Sequence, residues 1–296
     1  MENFLDKIFF RSRNLDYISQ NLINLTTQTP AKRIFEALNT YSESSEVRYV
    51  GGCVRKVIKK EIVDDIDLAT NLVPSEVCDA LKKQNINFYE TGIQHGTITA
   101  IIDDHKYEIT SLRKDVSTDG RHAKVEFSSD WKEDAARRDF SINSIYSDKD
   151  GNLFDPYNGK KDLESGNINF IGDSENRIKE DYLRILRYVR FFINYSNQSH
   201  DLNIIKKIKK NIGGVSKLSS ERLLDEFKKL TISNAFLKIF NDKISLELIE
   251  IIFPQLKNLR NFKKLNSYAL DNLPKVDFIF LLSLPVSYTH LTLPTT

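Results

Sequence analysis

Asp65 and Asp67 stand one residue apart in VDDIDLAT, residues 63–70, a run otherwise rich in apolar and β-branched side chains. Side chains alternate along a strand, so two carboxylates at this spacing emerge on one face while Ile66 and Leu68 point to the other. Held side by side they repel each other unless a cation sits between them, and oxygen-only donors suit Mg²⁺. Such a pair can hold two metal ions that flank a phosphoryl group, one activating an attacking hydroxyl and the other steadying the leaving oxygen. Taken alone, Asp-x-Asp is short and common and reads better as an exposed strand end.

Gly51-Gly52, a short way upstream, shifts that weighing. A Gly pair between a strand and a helix lets the backbone come close to phosphate oxygens and aims amides at them. Arg55, one turn into that helix, can add a charge-assisted contact. With an acidic pair on the neighbouring strand, a nucleoside triphosphate site is the economical reading: one element holds phosphates, the other metal.

These residues need a sheet to position them. Short β-rich runs occupy 47–112: VRYV, VDDIDLA, INFYE, GTITAII and KYEITSL, the last two joined by the turn Asp103-Asp104-His105. They predict a sheet of about five strands, with one helix after Gly52 and another after Pro74. Upstream, residues 1–28 read as a helical lead-in, and Thr29-Pro30 as a helix start. Beyond about residue 130 helical periodicity takes over. In IKEDYLRILRYVRFFI, the residues Ile178, Tyr182, Ile185, Leu186, Val189, Phe192 and Ile193 recur at three-to-four spacing, which predicts one long amphipathic helix. Another carries Leu202, Ile205, Ile208 and Ile212 up to Gly213-Gly214, and a third, capped by Ser219 or Ser220, carries Leu223, Leu224 and Phe227.

The 296 residues, 40% of them hydrophobic, suffice for a substantial core and for two or three small units. Lys+Arg 43 against Asp+Glu 41 leaves a net charge of +2, so overall charge argues for no particular partner. Between 203 and 265, however, Lys206, Lys207, Lys209, Lys210, Lys217, Arg222, Lys228, Lys229, Lys238, Lys243, Lys257, Arg260, Lys263 and Lys264 face few acids in sequence, a local footprint for a polyanion or a set of solvated helix faces. Cys53 and Cys78 make no disulfide framework and have no metal-ligand spacing, which fits a reducing cytoplasm. The N-terminus MENFLDKIFF lacks the basic-then-apolar pattern of an export or transit signal. FIFLLSLPV near the other end is too short to span a bilayer, and PVSYTHLTLPTT reads as a foreign tail closing a truncated gene.

In order along the chain, GGCVRKVIKKEIVDDIDLAT, GIQHGTITAII, YEITSLRKD, DGRHAKVEF, DAARRDFSINSI, EDYLRILRYVRF and LSSERLLDEF resemble the successive motifs of the class II tRNA nucleotidyltransferases, the CCA-adding enzymes, over about residues 30–260. The resemblance implies an α+β chain: a small DNA polymerase β-like nucleotidyltransferase sheet domain followed by all-helical neck and body regions. It places a catalytic head at 29–150, a neck with a nucleotide-reading helix at 151–215, an RNA-binding body, here truncated, at 216–284, and a non-native tail at 285–296. It implies that Asp65 and Asp67 carry Mg²⁺, that Gly52 and Arg55 contact the incoming nucleotide, and that Glu108 could support the metals. Arg138 would contact the nucleotide near its ribose and phosphates, with Arg137 and Asp139 as contacts or structural supports. Base reading falls to Asp181 and Arg184 of Glu180-Asp181-Tyr182-Leu183-Arg184, with further contacts from Arg187 and Arg190. An ionised Asp only accepts and Arg only donates, so the two together match the exocyclic amine and adjacent ring nitrogen of cytosine or adenine, which uracil and guanine present reversed. On a continuous helix Asp181 and Arg184 would lie about 60° apart.

Two positions depart from the family pattern: Lys56 stands where an acidic residue is usual after the Arg of the first motif, and Ala123 where Pro is common. The implied activity is transfer of CMP and AMP from CTP and ATP to the 3′ end of tRNA. Three other readings remain: a poly(A) polymerase, a partial enzyme adding only CC or A, and a non-catalytic RNA-binding fragment. GIQHGTITAII resembles the tRNA-directed branch, and TDGRHAKVEF keeps a loop that partial enzymes tend to lack.

Overall fold

A computed structural model describes residues 16–118, 123–233, 235–256 and 259. The loop residues 119–122 and the expected lead-in before 16, the far body and the tail beyond 259 lie outside the described residues. The chain divides into two units, residues 1–116 with 125–160, and 117–124 with 161–296.

The first unit is built on a mixed seven-stranded sheet of order β3-β4-β5-β2-β1-β8-β9. Its strands are β1 (Val47–Val50), β2 (Ile66–Thr70), β3 (Asn87–Gly92), β4 (Thr97–Ile102), β5 (His105–Ser111), β8 (Tyr146–Ser147) and β9 (Leu153–Phe154). The sheet exceeds the five strands expected because β8 and β9 are two residues each, too short to show alternation. Strands β6 (Arg113–Thr118) and β7 (Ala123–Phe127) form a separate two-stranded sheet where a loop was expected. Strands β2 and β5 run parallel; the other pairs of the large sheet are antiparallel.

Period-two patterning decides which face is covered. In β4, Ile98, Ala100 and Ile102 are buried while Thr97, Thr99 and Ile101 are half-buried; in β5, Tyr107 and Ile109 are buried while Lys106 and Glu108 are exposed. Helices α1 (Tyr17–Thr27), α2 (Ala31–Asn39) and α4 (Pro74–Lys83) supply Leu22, Ile34, Phe35, Leu38, Val77 and Leu81 to this core. Pro74 starts α4 without needing an amide partner, and the Glu76 carboxylate accepts from the Val73 amide at 3.0 Å. On the other face Val50, Ala69 and Tyr146 pack with Ala135 and Trp131 at one end of the sheet, while Asp67, Glu108 and Thr99 lie beyond that cluster.

In the second unit, α7 (Ser174–Glu180), α8 (Leu183–Tyr195), α9 (Leu202–Asn211), α10 (Ser220–Thr231) and α11 (Lys243–Ile252) bury Ile178, Leu186, Val189, Ile208, Phe227 and Ile249. His200, buried among them, stacks on Phe192 at 3.5 Å, with Nδ1 bonded to the Tyr188 hydroxyl and Nε2 to Asp242. The single long helix expected across 178–193 is two. Asp181 is extended (φ −152°, ψ 106°), and its carboxylate accepts from the Leu183 amide at 3.1 Å, so an acidic side chain caps a new helix instead of continuing the old one. The 60° wheel relation between Asp181 and Arg184 therefore does not hold.

Part of the lysine-rich footprint has acidic partners. Lys207 pairs with Asp173, Lys210 with Glu175 and Lys209 with Glu247, while Lys229 pairs with Asp225 and Arg222 with Asp181. Asp173 and Glu175 at the start of α7 and Glu247 of α11 are far from these lysines in sequence and close in space, which no local count could reveal. Among the described residues, no helix is long and apolar enough to cross a membrane.

Candidate active site

Strand β1 ends in a turn at Gly51, whose φ of 67° is open to glycine at little cost, and Gly52 begins α3 (Gly52–Ile58). The Gly51 amide donates to the Ile145 carbonyl at 3.4 Å, which ties the turn to the segment leading into β8. A Cβ placed on Gly51 would lie 3.9 Å from an Arg138 Nη1, and one on Gly52 would lie 3.9 Å from Asp67 Oδ2. The Gly pair, the acid and the arginine thus share one small space.

Asp67 lies in β2, but the strand begins only at Ile66, so Asp65 stands on the exposed segment just before it rather than on the strand. The preceding residue explains part of this. Lys56 ion-pairs with Asp64, anchoring the approach to β2; the departure from the family pattern at Lys56 has its own partner. Parallel pairing of β2 with β5 sets Asp67 opposite Glu108. Burial pushes the Asp67 carboxyl up to about 6, and the negative charges of Asp65 and Glu108 act in the same direction, against partial relief from Arg138 and Arg55. A half-buried carboxylate that resists ionisation beside two others is what a divalent cation would relieve.

The arginines are held by a frame that the sequence did not disclose. Arg55, almost fully buried, donates through Nη1 to Asn143 Oδ1. Asn143 in turn donates from Nδ2 to Asp139 Oδ1 at 2.7 Å, and its carbonyl accepts from Arg138 Nη1 at 3.3 Å. Arg138, at the end of α5 (Trp131–Arg137), reaches Asp134 Oδ2 through Nη2 at 3.0 Å and the Tyr146 hydroxyl through Nε at 2.9 Å. The Tyr146 hydroxyl donates to the same Asp134 oxygen at 2.7 Å, and Arg137 pairs with Oδ1 at 2.6 Å. Asp134 is only 1% exposed; burial alone would raise its pKa, but Arg138 and Arg137 outweigh it and bring the carboxyl to about 2. The i,i+4 spacing of Asp134 and Arg138 was the available sign of this frame.

The residues expected to read the base lie in the second unit. Arg184 Nη1 donates to Glu180 Oε2 at 2.7 Å and to the Arg177 carbonyl at 2.6 Å, and Arg177 reaches the same Glu180 oxygen at 2.5 Å. Asp181 Oδ2 accepts from Arg222 Nη2 at 2.8 Å. Arg187 lies against the Phe191 ring at 5.7 Å, while Arg190 stacks on it at 4.2 Å and ion-pairs with the buried Glu226. Arg177 and Glu226 are the residues here that sequence reading did not single out.

Residues 47–169 match the poly A polymerase head domain family, and residues 201–259 match a family described as the probable RNA and SrmB-binding site of polymerase A. The chain is 39% identical over 237 residues to the mitochondrial CCA tRNA nucleotidyltransferase 1 of Homo sapiens, covering 79% of this chain and 55% of that protein. It is 37% identical over 197 residues to the CCA-adding enzyme of Lactobacillus johnsonii, covering 66% of this chain and 48% of that one. The chain spans about half the length of these curated relatives. Its fold is similar to the crystal structure of the Bacillus stearothermophilus CCA-adding enzyme in complex with CTP, with a TM-score of 0.64 and 25% identity over 86% of this chain and 65% of the other. A tRNA nucleotidyltransferase complexed with a primer tRNA and an incoming ATP analog shares the fold at a TM-score of 0.66 and 22% identity, over 91% of this chain and 75% of the other.

Proposed function

Since the chain belongs to the family of tRNA nucleotidyltransferases and poly(A) polymerases, we propose that it extends the 3′ end of tRNA with CCA, using CTP and ATP and releasing pyrophosphate. The observation that carries this is Asp67, gathered with Asp65 and Glu108 beside the Gly51-Gly52 turn and two framed arginines.

The donor set fits Mg²⁺. Among the described residues no three acidic, His or Cys side chains form a ready-made cage, so Asp65 and Asp67 would share the ion with triphosphate oxygens and water, as a reluctantly dehydrated cation prefers. Bound there, Mg²⁺ would supply activation of the attacking 3′ hydroxyl and stabilisation of charge on the transferring phosphoryl group. Glu108 keeps the acidic field strong at Asp67. The Gly51-Gly52 turn leaves room for phosphate oxygens to approach the backbone. Arg55 and Arg138, prevented from wandering by Asn143, Asp134 and Tyr146, present fixed positive charge to the nucleotide.

Asp181 and Arg184 take the base-reading role: the carboxylate accepts from the amine of cytosine or adenine, and the guanidinium donates to the ring nitrogen. Arg177 and Glu180 orient Arg184, and Arg222 holds Asp181. Arg187 is assigned a nucleotide contact, and one from Arg190 must coexist with its Glu226 pair.

The test is incubation of the chain with a tRNA transcript lacking its CCA end, against an oligo(A) primer, with labelled CTP and ATP supplied singly and together. CMP followed by AMP on tRNA is the expected product. Extension of oligo(A) alone would favour poly(A) synthesis, addition of only C or only A a partial enzyme, and binding without turnover an RNA-binding fragment. The Asp65→Ala, Asp67→Ala double variant should retain tRNA binding and lose incorporation.

A further inference from the structure

Asp67, Glu108, Thr99 and Tyr89 are register partners in four adjacent strands: Asp67 pairs with Glu108, Glu108 with Thr99, and Thr99 with Tyr89. Register partners point to the same face, so these four side chains form one row on the face opposite the buried Tyr107 and Ile98, running away from the cluster of Ala69, Val50 and Ala135. The row starts at the acidic site and ends, about 14 Å away at three strand spacings, on the edge strand β3. Its last member is a phenol ring 60% exposed to solvent, whereas its sequence neighbour Phe88 turns to the other face and takes the Lys82 ammonium over its ring. A large exposed aromatic at the edge of this row of polar side chains is a stacking platform for an unpaired base.

Direction of attack says which ligand arrives there. The Gly51-Gly52 turn follows β1, on one side of Asp67; β5, β4 and β3 lie on the other. In a phosphoryl transfer the attacking and leaving oxygens are roughly in line across the phosphorus. Pyrophosphate leaving on the glycine side therefore places the attacking 3′ hydroxyl on the β5 side. The RNA strand that carries this hydroxyl must run back over Glu108 and Thr99 toward Tyr89. Lys106, exposed and two residues before Glu108 on the same face, adds a cation along that path.

We propose that Tyr89 is a stacking platform for a base in the unpaired 3′ end of the RNA substrate, holding the strand so that its terminal hydroxyl meets the acidic site. The proposal rests on the reading of the chain as an RNA nucleotidyltransferase. Tyr89 is a substrate-positioning residue at the rim, and its ring bears on RNA rather than on the nucleoside triphosphate.

The probes are two 5′-fluorescein RNA hairpins, one with a short unpaired 3′ tail and one blunt, titrated by anisotropy into the full chain. Tyr89→Ala should weaken binding of the tailed hairpin about tenfold and leave the blunt one unchanged, while Tyr89→Phe, which keeps the ring, should bind both like the parent. In steady-state extension of tRNA, Tyr89→Ala should raise KM for RNA and not KM for CTP. Unchanged binding of the tailed hairpin, or equal weakening of both, overturns the proposal. If the parent itself incorporates no CMP, the transferase reading fails, and the hairpin comparison still decides the platform.

Discussion

Asp67 in β2 sits directly opposite Glu108 in the parallel β5, so an acid 41 positions away in the chain joins its near neighbour Asp65 in pressing on one half-buried carboxyl group. The folded-state pKa of Asp67, about 6, exceeds its unfolded value near 4. The sign follows: between these values the native state binds more protons than the unfolded chain, so stability falls as pH rises through this window. Asp67→Asn removes that cost. Its expected effect is a gain on the order of 2–3 kcal/mol at pH 7.5, shrinking toward zero at pH 4, together with loss of nucleotidyl transfer. Urea unfolding of parent and variant at the two pH values measures it, and a variant less stable than the parent at pH 7.5 would sink the assignment of a strained acidic site.

The two glycines of the turn do different jobs, and alanine at each separates them. At Gly51 a side chain must adopt φ of 67°, at a cost of about 1–2 kcal/mol in stability. At Gly52 the added methyl meets Asp67 Oδ2 at 3.9 Å, an ordinary contact, so the protein itself tolerates it. Only a ligand approaching the backbone would object. Gly52→Ala should fold with nearly the parent midpoint yet raise KM for CTP and ATP about tenfold, whereas Gly51→Ala should lower the unfolding midpoint. Thermal unfolding beside steady-state kinetics distinguishes the two.

Asp134 is the centre of the arginine frame. With its carboxyl at about 2, the linkage has the opposite sign from Asp67: the stabilisation, about 2.5 kcal/mol, is present above the unfolded pKa near 4 and is lost as pH falls toward 2. Asp134→Asn leaves Arg138 and Arg137 without their buried counter-charge, and should cost about 3–5 kcal/mol at pH 7. Its stability profile between pH 4 and 2 should also be flatter than that of the parent. Tyr146→Phe, which removes one hydroxyl from the frame, should cost about 1 kcal/mol and raise KM for nucleotide through a less constrained Arg138. Chemical denaturation across pH and nucleotide KM values test both.

What the sequence showed and what it hid divide along physical lines. Asp65, Asp67, Gly51, Gly52 and Arg55 lie within 17 positions, so spacing alone presented them as a unit. Glu108 required a strand pairing, and parallel partners are not fixed by local pattern. Asp134 was visible at i,i+4 from Arg138, but that spacing usually marks a solvated pair, and only burial turns it into a frame. The break at Asp181 escaped notice because apolar periodicity runs through it unchanged; one extended residue interrupts the backbone without disturbing the stripe. Lysines 207, 209 and 210 looked unpaired because their acids sit on other helices.

Arg184 combines charge with a fork, and in the proposed base-reading role selection depends on the fork. Its Nη1 is fixed by Glu180 and by the Arg177 carbonyl, which sets the plane of the guanidinium. Arg184→Lys keeps a positive charge but offers a point donor that cannot hold that plane. The expected outcome is that kcat/KM for CTP falls while that for UTP changes little, reducing the CTP to UTP preference about tenfold or more. Glu180→Gln should move the ratio in the same direction by less, since it loosens the fork without removing it. Asp181→Ala removes the acceptor and should likewise blur the rejection of UTP and GTP, while Arg187→Ala should lower incorporation of all nucleotides without altering their ratio. Competition assays with paired labelled nucleotides read these ratios directly; an Arg184→Lys variant that discriminates as well as the parent would move base reading away from this helix.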